Sequence, residues 1–583
     1  MDTIDEQPEG IERPASLFIG PRGEYAEQFS ALWEYLLDTT MHRRNTRFSG
    51  DPEWIWENQE GNKVPDIQTA LDDLLNLLRE EIPTFSPRYL GHMVSDISIP
   101  GLLGHMAMLF ENANLASREA AVVASRIETE SINMLAKMIG YDPGPSRGHF
   151  TSGGTLANFE AVWRARYRLD HWLTLGMWLR ANGHTESSLF SLAHLGWKAF
   201  HETINTHQLQ DSDLTPYSAV LHGPLAVDRK VRDDIGEIWP EPVILVPGNK
   251  HYSWPKAANV FGMGTDAVWP CELDSQGRLS AASVKTQIER AIRANRPVMM
   301  VVSVAGTTEL GMIDPVDEVN EVLREYRDAQ GLHIWHHVDA AYGGYLCSTL
   351  SNELCQLSTR NQDALRNIKA ANSVTLDPHK LGFVPYACGA FLVPDLESYA
   401  VSSIHAPYLE KAQDVDFPGW STTLEGSRAA TGPSAVWLSA KVMPLDATGH
   451  GAFLNNSLTV AQQIHTALGK ASTHIRRLQK SDTNVVCFCL ASDGDSLSQA
   501  NRRTTVLLED FRASPDLSVT RTHLGIDHYQ RLVGSMVEQW HGNIDTDHLT
   551  VIRMVVMNPY LDNSKIVDNI QKILLACLPN QLR

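Results

Sequence analysis

Apolar residues return at helical spacing from Tyr25 to Thr40 and again from Ile67 to Ile82, where Leu71, Leu74, Leu75, Leu77 and Leu78 crowd together. Two more helices are predicted over Leu102–Asn112 and Glu119–Ile139, the second closed by Gly140. From Pro242 onward the period changes. Short, mostly apolar runs, Val243–Val246, Val298–Val304, Leu332–Val338 and Ser373–Leu376, alternate with helical stretches such as Asp317–Ala329. Strands apolar on both faces predict a mostly parallel sheet covered on both sides, with its chemistry at the strands' carboxyl ends. Beyond it, a helix over Ser434–Lys441 and strands over Val485–Leu490 and Leu549–Val556 predict a smaller α+β unit. The division expected is an N-terminal helical segment over 1–100, too short to own a core, a large α/β domain over 101–425, and a C-terminal α+β domain over 426–583. Residues 1–24 are polar and expected to be loosely held. Residues 164–239 are helical in period without a catalytic pattern, and read as an insertion or a wrapping arm.

Composition narrows the partners. The 583 residues exceed one ordinary core, and 43% hydrophobic with 20% charged residues is globular. Lys+Arg of 49 against Asp+Glu of 69 leaves −20 with no basic block, which argues against nucleic acid and anionic membranes as partners. Seven cysteines without CxxC spacing and 23 scattered histidines argue against a metal site and for a reducing compartment. Met1–Arg13 lacks the apolar run of a signal peptide, and no stretch approaches the ~20 apolar residues of a membrane span. The expectation is a cytoplasmic enzyme acting on a small molecule.

The chemistry gathers where predicted strands end. Ser373–Leu376 and Ala387–Val393 are joined by a polar elbow in which Pro378 stops ladder pairing and Asp377, His379 and Lys380 follow the strand. A lysine on such an elbow is expected to lose solvation, which lowers its pKa and frees the amine to form a Schiff base. The turn Gly148–Asn158 feeds a helix and suits a phosphate, with Gly154 and Thr155 at the helix start. Thr307 ends one apolar run and Asp339 another, while His251 opens a helix. A pyridine aldehyde phosphate needs this inventory: an amine, an anion for its ring nitrogen, a flat partner and N–H donors. Singly, each has an ordinary reading as well: Asp339 caps a turn, His251 starts a helix, paired glycines punctuate a loop.

Thr151–Thr155, His251–Ala257, Gly306–Thr308, His337–Gly343 and Asp377–Lys380 resemble the motifs of group II pyridoxal-phosphate-dependent amino-acid decarboxylases, and the bacterial tyrosine decarboxylases within them. The resemblance covers roughly residues 80–445 with specific motifs. It implies a fold-type I enzyme and a homodimer. It implies that Lys380 holds the cofactor aldehyde, Asp339 pairs with the pyridinium nitrogen, His251 stacks on one ring face, Ala341 packs on the other, and Thr307 lies near the phenolic oxygen. Gly154, Thr155 and His379 are expected to hold the phosphate, with Ser427 contributing from the neighbouring subunit. Tyr408, in the loop Ala406–Lys411, is expected to return the proton to Cα. The implied reaction is decarboxylation of an L-amino acid, aromatic by resemblance, with Tyr89, His92, Ser95 and Tyr386 as pocket candidates. Aspartate, glutamate and diaminobutyrate remain alternative substrates, and aldehyde-forming deamination or a non-catalytic binding role alternative functions.

Overall fold

The computed structural model describes residues 14–47, 66–350, 355–403, 419–513 and 517–562, together with 568, 572–573 and 575–576. Its centre is a seven-stranded sheet. In chain order the strands are β1 (Arg147–Thr151), β2 (Val243–Pro247), β3 (Val268–Cys271), β4 (Val298–Val304), β5 (Trp335–Asp339), β6 (Ser373–Leu376) and β7 (Gly389–Val393). They lie side by side as β1-β7-β6-β5-β4-β2-β3. The five strands from β3 to β6 are parallel, while β7 runs antiparallel to both β6 and β1. The reversal has a local cause: residues 377–388 link β6 to β7 without a crossover helix, so the chain can only turn back.

Alternation within a strand sorts its side chains between two layers. In β2, Ile244 and Val246 join the apolar cluster beneath the helix Gly154–Ala181. Val243 and Leu245 join the opposite cluster, with residues of the helices Ala281–Arg293 and Val316–Gln330. Both faces are therefore dry, as the apolar runs require. Residues 164–239 are helical, and Leu169, Trp172, Leu173, Phe200, Val227 and Val231 seal one face.

A second sheet, β8 (Ile475–Arg477), β9 (Val485–Leu490), β10 (Thr520–Gly525) and β11 (His548–Val555), is antiparallel throughout in the order β10-β11-β9-β8. Val486, Phe488, Ile552 and Met554 pack under the helices His450–Ala471 and Leu497–Ala513, while Val485, Cys487, Val551 and Val555 face the main core. The two sheets thus share one core.

Two expectations need correction. Residues 14–24 are not loose: Phe18 is fully buried, with its ring 5.5 Å from Phe383 and 5.8 Å from Phe453. The strand expected over Leu332–Val338 begins only at Trp335, and β1, hidden in sequence by Gly148 and its polar neighbours, pairs along its whole length with β7. The helix Ile67–Leu77 forms, but none of its residues is buried, and Leu71, Leu74, Leu75 and Leu77 face solvent in the single chain. No helix among the described residues is long and apolar enough to cross a membrane.

Candidate active site

Parallel neighbours place their carboxyl ends together, and the register does this residue by residue: Val304 pairs with Asp339, and Asp339 with Thr375. Asp339, the start of the elbow after β6 and the loop after β4 therefore meet at one edge of the sheet. The helix Gly154–Ala181 begins at the same edge with no side-chain cap, so its first N–H groups open onto the cavity. The cavity is about 490 Å³ and is lined by Gly154, Thr155, His251, Thr307, Asp339, Ala341, His379, Lys380 and Tyr386, all of them expected from the sequence.

Lys380 Nζ lies 2.9 Å from Asp377 Oδ2, and its backbone N–H closes the turn onto the Asp377 carbonyl at 2.9 Å. The expectation of a depressed lysine pKa is overturned here. Burial pulls it down, but the carboxylates of Asp377 and Asp339 outweigh burial and leave it raised, so the ammonium is held charged. Asp377 Oδ1 is buried without a hydrogen-bond partner.

Asp339, 5% exposed, accepts from Asn158 Nδ2 at 2.8 Å. The same amide nitrogen donates to Ser253 Oγ at 3.0 Å, and Ser253 Oγ lies 2.9 Å from His251 Nδ1. Behind Asn158 runs a second line of contacts. Trp335 Nε1 donates to Ser373 Oγ at 2.7 Å, Ser373 Oγ lies 2.8 Å from His337 Nδ1, and His337 Nε2 lies 3.3 Å from Asn158 Oδ1. Burial pushes His337 down to about 3, so the ring is neutral and one nitrogen must accept. The Ser373 hydroxyl accepts the hydrogen bond from Trp335 Nε1 and donates one to Nδ1, which leaves Nε2–H to donate to the Asn158 carbonyl oxygen, with Thr375 Oγ1 a longer neighbour at 3.4 Å, and turns the amide's NH₂ toward Asp339.

His251 is pushed below its ordinary value by burial, with Asp339 pulling the other way, and its ring centroid lies 4.0 Å from that of Tyr252. His379 stacks on Tyr386 at 4.0 Å and 30°, and its Nδ1 accepts from the Cys388 N–H at 3.3 Å. The Thr307 hydroxyl accepts from the Met312 N–H at 3.0 Å.

Four expected residues do not enter this cavity. Tyr89 is buried with its hydroxyl accepting from the His92 N–H, because the neighbouring Leu90 N–H is tied to Ser518 O and Leu90 O to Val555 N, which holds the segment on the second sheet. His92 is turned to solvent beside Arg553, and Ser95 is buried with an unpartnered hydroxyl. Ser427 is exposed and accepts from Asn114 Nδ2 at 3.0 Å, away from the cavity of its own chain. Tyr408 lies outside the described residues.

Sequence reasoning missed Asn158 and gave Asp377 no role. Both had a signal: Asn158 stands one turn after Gly154, on the same helix face, and Asp377 stands three residues before Lys380.

The cavity fits pyridoxal phosphate by its donors and by its shape. It brings one ammonium and a hydrogen-bonded carboxylate to one space, with free helix N–H groups at its wall. A Cβ at Gly154 would stand 2.8 Å from Asp377 Oδ2 and 3.2 Å from the Ala341 Cβ, so only glycine leaves that wall open.

Comparison with known proteins agrees. Residues 227–491 match the pyridoxal-dependent decarboxylase conserved domain. The L-tyrosine decarboxylase of Levilactobacillus brevis is 29% identical over 95% of this chain and 94% of its own length. That of Enterococcus faecium is 26% identical over 97% and 98%. Among solved structures, mouse CSAD in its apo form shares the fold with a TM-score of 0.66 at 19% identity, covering 94% of this chain and all of that one.

Proposed function

Since the chain belongs to the group II pyridoxal-phosphate-dependent amino-acid decarboxylases, near the tyrosine decarboxylases, we propose that its substrate is an aromatic L-amino acid, L-tyrosine first, released as the amine and CO₂. The observation that carries the decarboxylase reading is the convergence of Lys380, Asp339 and an uncapped helix N-terminus in one cavity. The aromatic reading is supported by near full-length similarity to tyrosine decarboxylases and by Phe159, Tyr252, Tyr342 and Tyr386 along the cavity wall.

Pyridoxal phosphate, when bound, supplies an aldehyde for an amine and a ring that takes up the electron pair left by departing CO₂. In this reading Lys380 is the amine that holds the aldehyde and Asp339 the carboxylate that keeps a proton on the ring nitrogen. His251 and Ala341 would flank the ring, Thr307 would lie beside its phenolic oxygen, and Gly154, Thr155 and His379 would receive the phosphate. Asn158 and Ser253 orient Asp339 and His251 by hydrogen bonds already in place, so the groups need no rearrangement when substrate arrives. Asp377 holds the Lys380 proton until the amine is needed. Tyr386, stacked on His379 and half in solvent, borders the entrance where a substrate ring would lie. We assign return of the proton to Cα to Tyr408 on the sequence alone.

The working unit in this reading is a homodimer. Its support is the apolar side of the helix Ile67–Leu77, where Leu74 is 51% and Leu77 71% exposed in the single chain, and the position of Ser427 outside its own cavity. The division into 1–100, 101–425 and 426–583 is retained as a proposal, supported by the placement of the two sheets. A reducing, cytoplasmic setting is supported by six described cysteines that are all free thiols.

The test is product analysis of cofactor-loaded protein on the L-amino acids with dopa and diaminobutyrate. Tyramine and CO₂ in equal amounts from L-tyrosine are expected. CO₂ from aspartate, glutamate or diaminobutyrate alone overturns the aromatic reading, and aldehyde with ammonia overturns the proton return by Tyr408.

A further inference from the structure

At the amino end of β5, opposite the catalytic edge, lies a second cleft of about 460 Å³. Arg168, Trp172, Trp197, Arg324, Arg327 and His333 are among its walls. Arg168 is 6% exposed and its guanidinium carbon sits between two indoles, 4.5 Å from the centroid of Trp172 and 4.9 Å from that of Trp335. Among the described residues it makes no hydrogen bond and no ion pair, and its Nε is buried without a partner. The indole Nε1 of Trp172, on the same wall, is a second buried donor without an acceptor.

A buried arginine is ordinarily paired, because an uncompensated charge in the interior is costly. The same helix shows the ordinary case one turn earlier. Arg164 is fully buried, paired with Glu160, and donates to the Tyr399 carbonyl at 3.2 Å and to that of Thr422 at 2.5 Å. For Arg168 two aromatic faces offset part of the charge, and nothing from the chain offsets the rest. Burial pulls its pKa to about 9 with no opposing carboxylate; burial also pushes His194 and His333 down, and the Arg168 charge adds to that.

None of the carboxylates around the cleft pairs with Arg168; two of them pair with the rim arginines instead. Asp395 caps the Ser398 N–H at 2.7 Å, Glu321 pairs with Arg324 at 2.5 Å, and Asp328 with Arg327 at 2.9 Å. Asp317 sits in the first turn of the helix Val316–Gln330, with one oxygen lacking a partner. The cleft therefore holds unanswered donors at Arg168 and Trp172, two rim guanidinium groups that already carry carboxylate partners, and one acceptor for a ligand hydroxyl.

We propose that this cleft is a binding site, separate from the catalytic cavity, for a small oxyanion of the phosphate or carboxylate type, whose acidic oxygens answer Arg168 and Trp172. An oxyanion suits the donors because a guanidinium offers a fork of N–H groups that matches two oxygens at once. The site does not depend on which amino acid the enzyme decarboxylates.

The probe is inorganic phosphate, titrated into the cofactor-loaded enzyme in chloride buffer at constant ionic strength, with the catalytic phosphate cradle already filled. Trp172 and Trp335 flank Arg168, so a saturable change in tryptophan fluorescence is expected. Arg168→Gln is expected to raise the phosphate half-saturation by about tenfold or more, and Arg327→Gln, at an exposed position, by severalfold. The melting temperature supplies an independent reading: Arg168→Met melts higher than wild type without phosphate, and phosphate narrows the gap. Should Arg168 variants fail to fold, Arg327→Gln carries the test. A fluorescence response unchanged in these variants, no saturable response in wild type, or an Arg168→Met protein that melts lower without phosphate overturns the proposal.

Discussion

The two ends of β5 hold clefts of nearly equal size, about 490 Å³ at Asp339 and about 460 Å³ at Ile334 and His336, and the helix Gly154–Ala181 lines both. They differ in who supplies the counter-charge. At the carboxyl end the chain answers its own charges, Lys380 with Asp377 and Asp339 with Asn158. At the amino end Arg168 is left to two indole faces. A site whose groups already answer one another is preorganised for chemistry, since its dipoles need not move when charge develops. A site with an unanswered buried cation is organised for an incoming anion. The separation yields the largest prediction. Lys380→Ala is expected to lower amine formation on the order of 10³-fold or more while the tryptophan response to phosphate stays as in wild type. Loss of both together would mean that the two ends are one site.

Arg164 and Arg168 allow the same comparison within one helix. Glu160 neutralises Arg164 and also receives His149 Nε2 at 3.1 Å and the Leu424 N–H at 2.8 Å. Burial alone would raise its pKa, but His149 and Arg164 outweigh it and hold the carboxyl at about 2. Glu160→Gln leaves Arg164 buried and unpaired, and is expected to cost about 3 kcal/mol or more, read from urea unfolding at neutral pH. The sign with pH follows from the depressed value: the stabilisation is complete above the ordinary glutamate range and is lost as pH falls from there toward 2. Wild type should therefore lose stability faster than Glu160→Gln over that window. Parallel curves would remove Glu160 from the account.

Gly154→Ala probes the cradle. The added methyl would meet Asp377 Oδ2 at 2.8 Å, and Asp377 is the partner of Lys380, so the displacement reaches the amine. Activity is expected to fall about 10²-fold, the scale of an ångström-size misplacement, with weaker cofactor retention on gel filtration. Retained activity would show that the wall gives way at little cost.

These contacts explain what could be read from the chain. Strands buried on both faces announce themselves as apolar runs, so β4, β6 and β9 appear in the sequence with the limits the structure shows. β1 does not, because its inward residues His149 and Thr151 are polar: the histidine is satisfied by the distant Glu160 and Tyr399, the threonine by the nearby Gly153 carbonyl. Site residues that follow strand ends, Lys380, Asp339 and Thr307, were legible for the same reason as the strands. The raised lysine pKa was not, because whether burial or a carboxylate prevails depends on a 2.9 Å distance that spacing does not encode. Arg168 was equally silent: its lack of a partner is a property of everything around it.

The smallest effect is also the most specific. Trp335 touches Arg168 with its ring face and donates through Nε1 to Ser373 Oγ, which hands on to His337, Asn158 and Asp339. This line orients the Asn158 amide without touching substrate, so Ser373 is a positioning residue. In Ser373→Ala, His337 loses the donor that fixes its tautomer, and the Asn158 amide is free to turn its oxygen toward Asp339, where two acceptors would oppose each other. The expected loss is roughly 2–10-fold in kcat, the worth of one net hydrogen bond of about 0.5–1.5 kcal/mol, with KM unchanged. Ser373→Thr keeps the hydroxyl on a strand position that suits a β-branched residue and should restore kcat. A packing defect would instead lower stability in both variants alike, and equal kcat in Ser373→Ala and wild type would show that Asn158 holds its orientation through Ser253 alone.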